Sequence, residues 1–119
     1  MKNIRVIVKK VPIYNKIHNH QTFPYINNFI DFQNSLTRSA SIFPGFIKSN
    51  SYWKLNGEYD IRSIPPVINI STWNSKEDWE VWCKSMDRKL IQEHYYNIEY
   101  KETIDVCIER VSYIDTPLL

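Results

Sequence analysis

One stretch of the chain concentrates side chains with chemical use. It runs Asn69-Ile70-Ser71-Thr72-Trp73-Asn74-Ser75 and continues through Lys76 to Arg88, so that a strand-like run ends in tryptophan and a helix-like run carries Trp82, Ser85 and Arg88. A tryptophan offers a rigid face on which a flat ligand can stack, yet on an apolar helical stripe it also makes ordinary core. Trp82 and Trp73 admit both readings. Ser85 and Arg88 lie three residues apart, hence on one side of a helix. The Arg88 guanidinium can anchor an anionic or phenolate group, or pair with an acidic neighbour. Asn69 is a polar side chain in a strand rich in Ile and Val. Facing the helices it must hydrogen-bond a neighbour or a ligand, and facing the other way it is structural. His94, near the end of the same helical region, can move a proton or simply complement the helix dipole. Tyr52, Tyr95 and Tyr96 are possible donors to a ligand oxygen.

Other chemistries find no support. His18-Asn19-His20 puts two imidazoles in a polar loop without a third ligand nearby, which reads as a solvated loop rather than a metal site. Two glycines in 119 residues leave no phosphate-cradling loop. No nucleophile–base–acid set can be assembled. Cys83 and Cys107 lack C-x-x-C spacing and read as small buried hydrophobes in a reducing compartment. The net charge of +2, from 15 basic and 13 acidic residues mixed along the chain, lacks the basic stripe of a nucleic-acid binder. No apolar run is long enough to span a bilayer, and Met1-Lys2-Asn3-Ile4 leads into a strand without a signal-peptide core. A cytoplasmic, single-domain protein over residues 1–119 is expected, with no nucleic-acid or membrane partner.

The elements that must position these residues follow from periodicity. Alternation predicts a first strand over Ile4–Ile13, with Pro12 ending its pairing. Ile26, Phe29, Ile30, Leu36, Ala40 and Phe43 mark a first helix from Pro24 to Ile42, stopped by Pro44-Gly45. A second strand covers Phe46–Leu55, followed by an Asn56-Gly57 turn, and a third covers Val67–Trp73. Ser75 caps a second helix, with Asp78 completing a capping box. That helix has a core stripe of Trp79, Trp82, Cys83, Met86 and Leu90 and frays within 92–97. A fourth strand covers Thr103–Tyr113. This βαββαβ order predicts an α+β, ferredoxin-like fold, a four-stranded antiparallel sheet with two helices on one face. The other face would expose Ile7, Val11, Ile13, Val111 and Tyr113, too apolar to stay uncovered, so a homodimer is expected.

The Asn69–Arg88 stretch, with Pro44-Gly45-Phe46-Ile47 before the second strand, resembles the antibiotic biosynthesis monooxygenase family, whose members are dimeric α/β barrels with a ferredoxin-like unit in each chain. The resemblance implies a pocket between sheet and helices, with Trp82, Ser85, Tyr52 and Trp73 binding substrate. It implies a small aromatic substrate of quinol or anthrone type and no cofactor, neither metal nor flavin, because the substrate anion itself reduces oxygen. Arg88 would favour the anion, and Asn69 or His94 would handle the proton. A non-catalytic ligand-binding or stress-related role is the second expectation, and haem binding or degradation the third. Against haem, Gln92 stands where such members place a helical histidine, and Val6 to Val8 offer no asparagine on the first strand.

Overall fold

A computed structural model describes residues 3–13, 22–55 and 65–109, with the side chains of 22–26 outside that description. The described elements are β1 (Ile4–Pro12), α1 (Thr22–Ser41), β2 (Phe46–Trp53), β3 (Val67–Trp73), α2 (Lys76–Cys83), α3 (Met86–His94) and β4 (Tyr100–Ile108). The strands form one antiparallel sheet in the order β2-β3-β1-β4. This is the expected ferredoxin-like arrangement, with β1 and β3 at the centre. Among the described residues no helix is long and apolar enough to cross a membrane.

Strand periodicity decides which side chains meet the helices. On β1 the residues Ile4, Val6, Val8 and Lys10 pair in register with Trp73, Ser71, Asn69 and Val67 of β3, and these share the covered face. On α1 the residues Phe29, Phe32, Leu36 and Ala40 recur at helical spacing and are buried against that face. Two packed groups result. Ile4, Val6, Ala40 and Trp73 form one, and Phe29, Phe32, Leu36, Val67 and Ile98 form the other. Trp82 packs against both. On the opposite face Ile7 lies across from Ile70 and is only partly buried. Val111 and Tyr113, counted above toward that face, lie outside the described residues, as do His18, His20 and the Asn56-Gly57 turn.

Three boundaries differ from expectation. The second helix is two helices, because Ser85 intercepts the backbone: its Oγ donates to the Trp82 carbonyl at 2.6 Å and accepts from the Arg88 N–H at 3.2 Å. A serine that satisfies backbone groups with its own side chain competes with continued helix. The break swings Met86 and Leu90 out of the predicted core stripe, leaving them 62% and 55% exposed. Pairing also runs past Pro12, since the Ile13 N–H donates to the Glu99 carbonyl. Successive N–H groups alternate sides, so the donor that proline lacks would point toward β3, whose pairing has already ended at Lys10. Finally, β4 starts at Tyr100, opposite Pro12, rather than at Thr103.

The stop between α1 and β2 is tightly specified. Gly45 has φ of +87°, a conformation that L side chains rarely adopt, and a Cβ there would run into the Asp78 side chain. Its carbonyl accepts from the Asn74 N–H at 2.7 Å, tying the turn to the β3–α2 connection. Gly45→Ala is therefore expected to destabilise the fold by about 1–3 kcal/mol, read from denaturant unfolding. An unchanged midpoint would show that neither the backbone nor Asp78 constrains this position.

Candidate functional site

The covered face of the sheet is polar where strand alternation would ordinarily place core. Lys10, at the end of the Ile4-Val6-Val8 series, is 3% exposed. Its ammonium donates to Gln33 Oε1 of α1 at 2.7 Å and stands 3.9 Å from Glu102 Oε2 of β4. The rings of Phe32 and Tyr100 lie 5.2 and 5.6 Å away, within cation–π range. Burial pushes its pKa down from 10.5 to about 8, with Glu102 opposing that shift and Arg88 adding to it. Burial likewise raises the Tyr100 phenol and the Cys83 thiol above their ordinary values.

Asn69 points toward the helices, and its amide N–H donates to the hydroxyls of Ser49 and Ser51 on β2 at 2.8 and 2.9 Å. Trp73 is wholly buried, with its indole N–H on Ser71 Oγ at 3.1 Å. Trp82 stacks on Trp73 with centroids 6.2 Å apart and donates to Ser39 Oγ of α1 at 3.1 Å. The guanidinium of Arg88 lies over the Trp82 ring, 5.2 Å from its centroid. Its Nη1 donates to the Cys83 carbonyl at 3.2 Å, while its Nε is buried without a hydrogen-bond partner. No carboxylate pairs with Arg88 among the described residues; the ion pair they contain is Lys10–Glu102.

These groups line a cleft between the sheet and all three helices. Asn69, Trp73, Trp82 and Arg88 come together there, with Lys10, Gln33, Gln92 and Glu102. Ser85 does not line it; the serine positions Arg88 by capping α3. Tyr52 is 52% exposed and does not line the cleft; it borders a second cavity, of about 210 Å³, beside Phe29 and Trp53, which shares Gln33 with the cleft. His94 is exposed at the end of α3, edge-on to the Tyr95 ring at 4.7 Å, and is not among the cleft's lining residues. Among the described residues no three His, Cys, Asp or Glu side chains approach closely enough to hold a metal ion.

Sequence spacing missed Lys10 and Gln33. The signal was present for Lys10, which continues the period-two series of buried β1 residues, but as half of the Lys9-Lys10 pair it resembled a solvated charge. The cleft encloses about 40 Å³, room for about three waters. A ring system therefore enters only if a wall moves. No residue of α3 is fully buried, and Ile91 is its hydrophobic residue packed against the core, so moving this wall costs less packing than moving α1, which buries Phe29, Phe32, Leu36 and Ala40.

Lys10 gives the site a pH signature in stability. A lysine whose folded pKa is depressed binds fewer protons folded than unfolded between about pH 8 and 10.5, so stability rises with pH across that window. The raised Tyr100 pKa works the opposite way above its ordinary value of 10.0. Relative to Lys10→Met, which keeps Tyr100, the native chain is expected to gain on the order of 2–3 kcal/mol over the window. Parallel stability curves for the two proteins would contradict the burial of this charge.

No family model matches the sequence, and no curated protein matches it. Similarity lies in solved structures. The chain superposes on the cofactor-independent oxygenase SnoaB of Streptomyces nogalater with a TM-score of 0.62 at 9% identity, covering 95% of this chain and 98% of that one. An antibiotic biosynthesis monooxygenase gives 0.63 at 10% identity, over 92% and 99% of the two chains. A dimeric ferredoxin-like protein of unknown function from Thermobifida fusca gives 0.62 at 7% identity, over 91% and 92%. At these identities the likeness is one of fold, and the fold is the ferredoxin-like unit that those proteins share.

Proposed function

We propose that this chain is a cofactor-independent, monooxygenase-like enzyme for a small aromatic of quinol or anthrone type, working as a homodimer. The observation that carries the reading is the Arg88 guanidinium, stacked on Trp82 at the cleft with a buried Nε–H that has no acceptor. A donor in that state is costly until a ligand oxygen meets it. A flat ring against Trp82 would bring a phenolate or enolate oxygen to Arg88, and the cation would favour the ionised form. An electron-rich anion so held reduces oxygen without a metal or flavin. Asn69, as an amide, would orient the substrate rather than ionise. His94 lies outside the lining and takes no proton in this scheme, which leaves that proton to water at the cleft mouth.

A non-catalytic binding protein is the second reading, favoured by the fact that Asn69, Trp73 and Trp82 already spend their donors on serines. Oxygen uptake with a panel of quinols and anthrones separates the two. Uptake above the uncatalysed rate supports turnover, and binding without uptake selects the second reading. Trp82→Phe keeps most of the apolar bulk but loses the bond to Ser39 and the broad face under Arg88. Ligand affinity or rate is expected to fall several-fold, with stability lowered by about 1–3 kcal/mol. A lower melting temperature with unchanged affinity and rate would make Trp82 a packing residue only. The homodimer is expected to scatter light as twice the chain mass at micromolar concentration, and a concentration-independent monomer would exclude it.

A further inference from the structure

The cleft carries more positive charge than its own residues compensate. Among the described residues that line it, Lys10 and Arg88 each bring a positive charge and Glu102 a negative one, so one positive charge is left over. Arg88 meets no carboxylate among the described residues. Among the described residues the Lys10 ammonium makes one hydrogen bond, to the neutral amide of Gln33, and its carboxylate neighbour at 3.9 Å lies beyond hydrogen-bonding distance. Glu102 offsets one of the two cations; the other has no counter-ion among the described residues, and an incoming anion would supply it. The remaining walls say what kind of anion. Trp73, Trp82, Phe46, Val8 and Ile104 give a ring aromatic and aliphatic surface to lie against, set among neutral polar groups such as Asn69.

We propose that the cleft selects flat aromatic ligands bearing one ionised acid group, held jointly by Lys10 Nζ and Arg88 Nε. The proposal rests on the reading of this cleft as the ligand site and adds to it a second cation and a charge requirement. Lys10 approaches from the floor of the sheet, on β1, and Arg88 from the α3 wall, so the acid group is gripped from two elements. The charged and titratable groups facing Lys10 are Glu102 and Tyr100 from β4 and Arg88 from α3; α1 contributes neutral Gln33 and Phe32. As pH rises through about 8 the free protein loses the Lys10 charge, and affinity for an anion falls. A bound anion holds the proton on Lys10, so the fall is displaced upward in the complex.

Naphthoate and naphthamide test this, because they share ring and shape and differ in charge. Naphthoate stays ionised from neutral to alkaline pH, so any pH dependence belongs to the protein. Binding is read from quenching of tryptophan fluorescence or by calorimetry on the native chain. Naphthoate is expected to bind at least about tenfold more tightly than naphthamide near neutral pH, with the advantage shrinking as pH rises above the Lys10 titration. Lys10→Met should lose most of the advantage, with the loss falling mainly on naphthoate. Lys10→Arg should keep it and flatten its pH dependence. Equal affinities for the two probes would overturn the charge requirement while leaving the cleft as a ligand site. A preference that survives in Lys10→Met, or does not change with pH in the native chain, would overturn the role of Lys10. Failure of both probes to bind would overturn the cleft reading itself, and this proposal with it.

Discussion

A sheet face covered by helices must satisfy every polar group it carries, and this one carries several. Lys10, Asn69 and Ser71 project from the strands into a space closed by α1, which itself contributes Gln33 and Ser39; all five are at most 9% exposed. Water is largely excluded, so each needs an internal partner. Those partners come from different elements. Lys10 to Gln33 ties β1 to α1, Asn69 to Ser49 and Ser51 ties β3 to β2, and Trp82 to Ser39 ties α2 to α1. The network thus fixes how the layers sit on one another. Arg88 is the member it does not complete.

Magnitudes separate what holds the fold from what shapes the site. Buried aromatic and aliphatic side chains such as Phe29, Phe32 and Val6 each contribute about 1.5–3 kcal/mol, and these supply the cohesion. A neutral hydrogen bond nets only about 0.5–1.5 kcal/mol, but orphaning its buried partner costs about 1–3 kcal/mol. The polar groups therefore add little to stability and constrain geometry strongly. The same asymmetry makes the unpartnered Nε of Arg88 informative, since a fold that satisfies its neighbours leaves this donor open.

Regular elements were legible in the sequence because their signals are local. The third strand, Val67–Trp73, and the Ser75 cap with its bond from the Asp78 N–H emerge where alternation and capping chemistry place them. Asn69 was left between two faces by its composition, and register alone puts it toward the helices. The break at Ser85 escaped because a serine inside a helical stripe looks like any tolerated polar residue until its hydroxyl is seen on Trp82 and Arg88. His94 sat at plausible helical spacing only if the helix were continuous. Lys10 escaped because burial of a lysine depends on Gln33, Glu102, Phe32 and Tyr100, four residues scattered across the chain.

The charge excess of the cleft and its pH behaviour both follow from the withdrawal of the Lys10 ammonium from water. The most direct measurement is an NMR titration of the lysine side chains, following the carbon and nitrogen shifts at the Cε–Nζ end with Lys10 assigned by its loss in Lys10→Met. Lys10 is expected to show a midpoint at about 8, well below the ordinary lysine value of 10.5. A Lys10 midpoint at that ordinary value would contradict this, placing the amine in water and leaving the cleft with Arg88 alone.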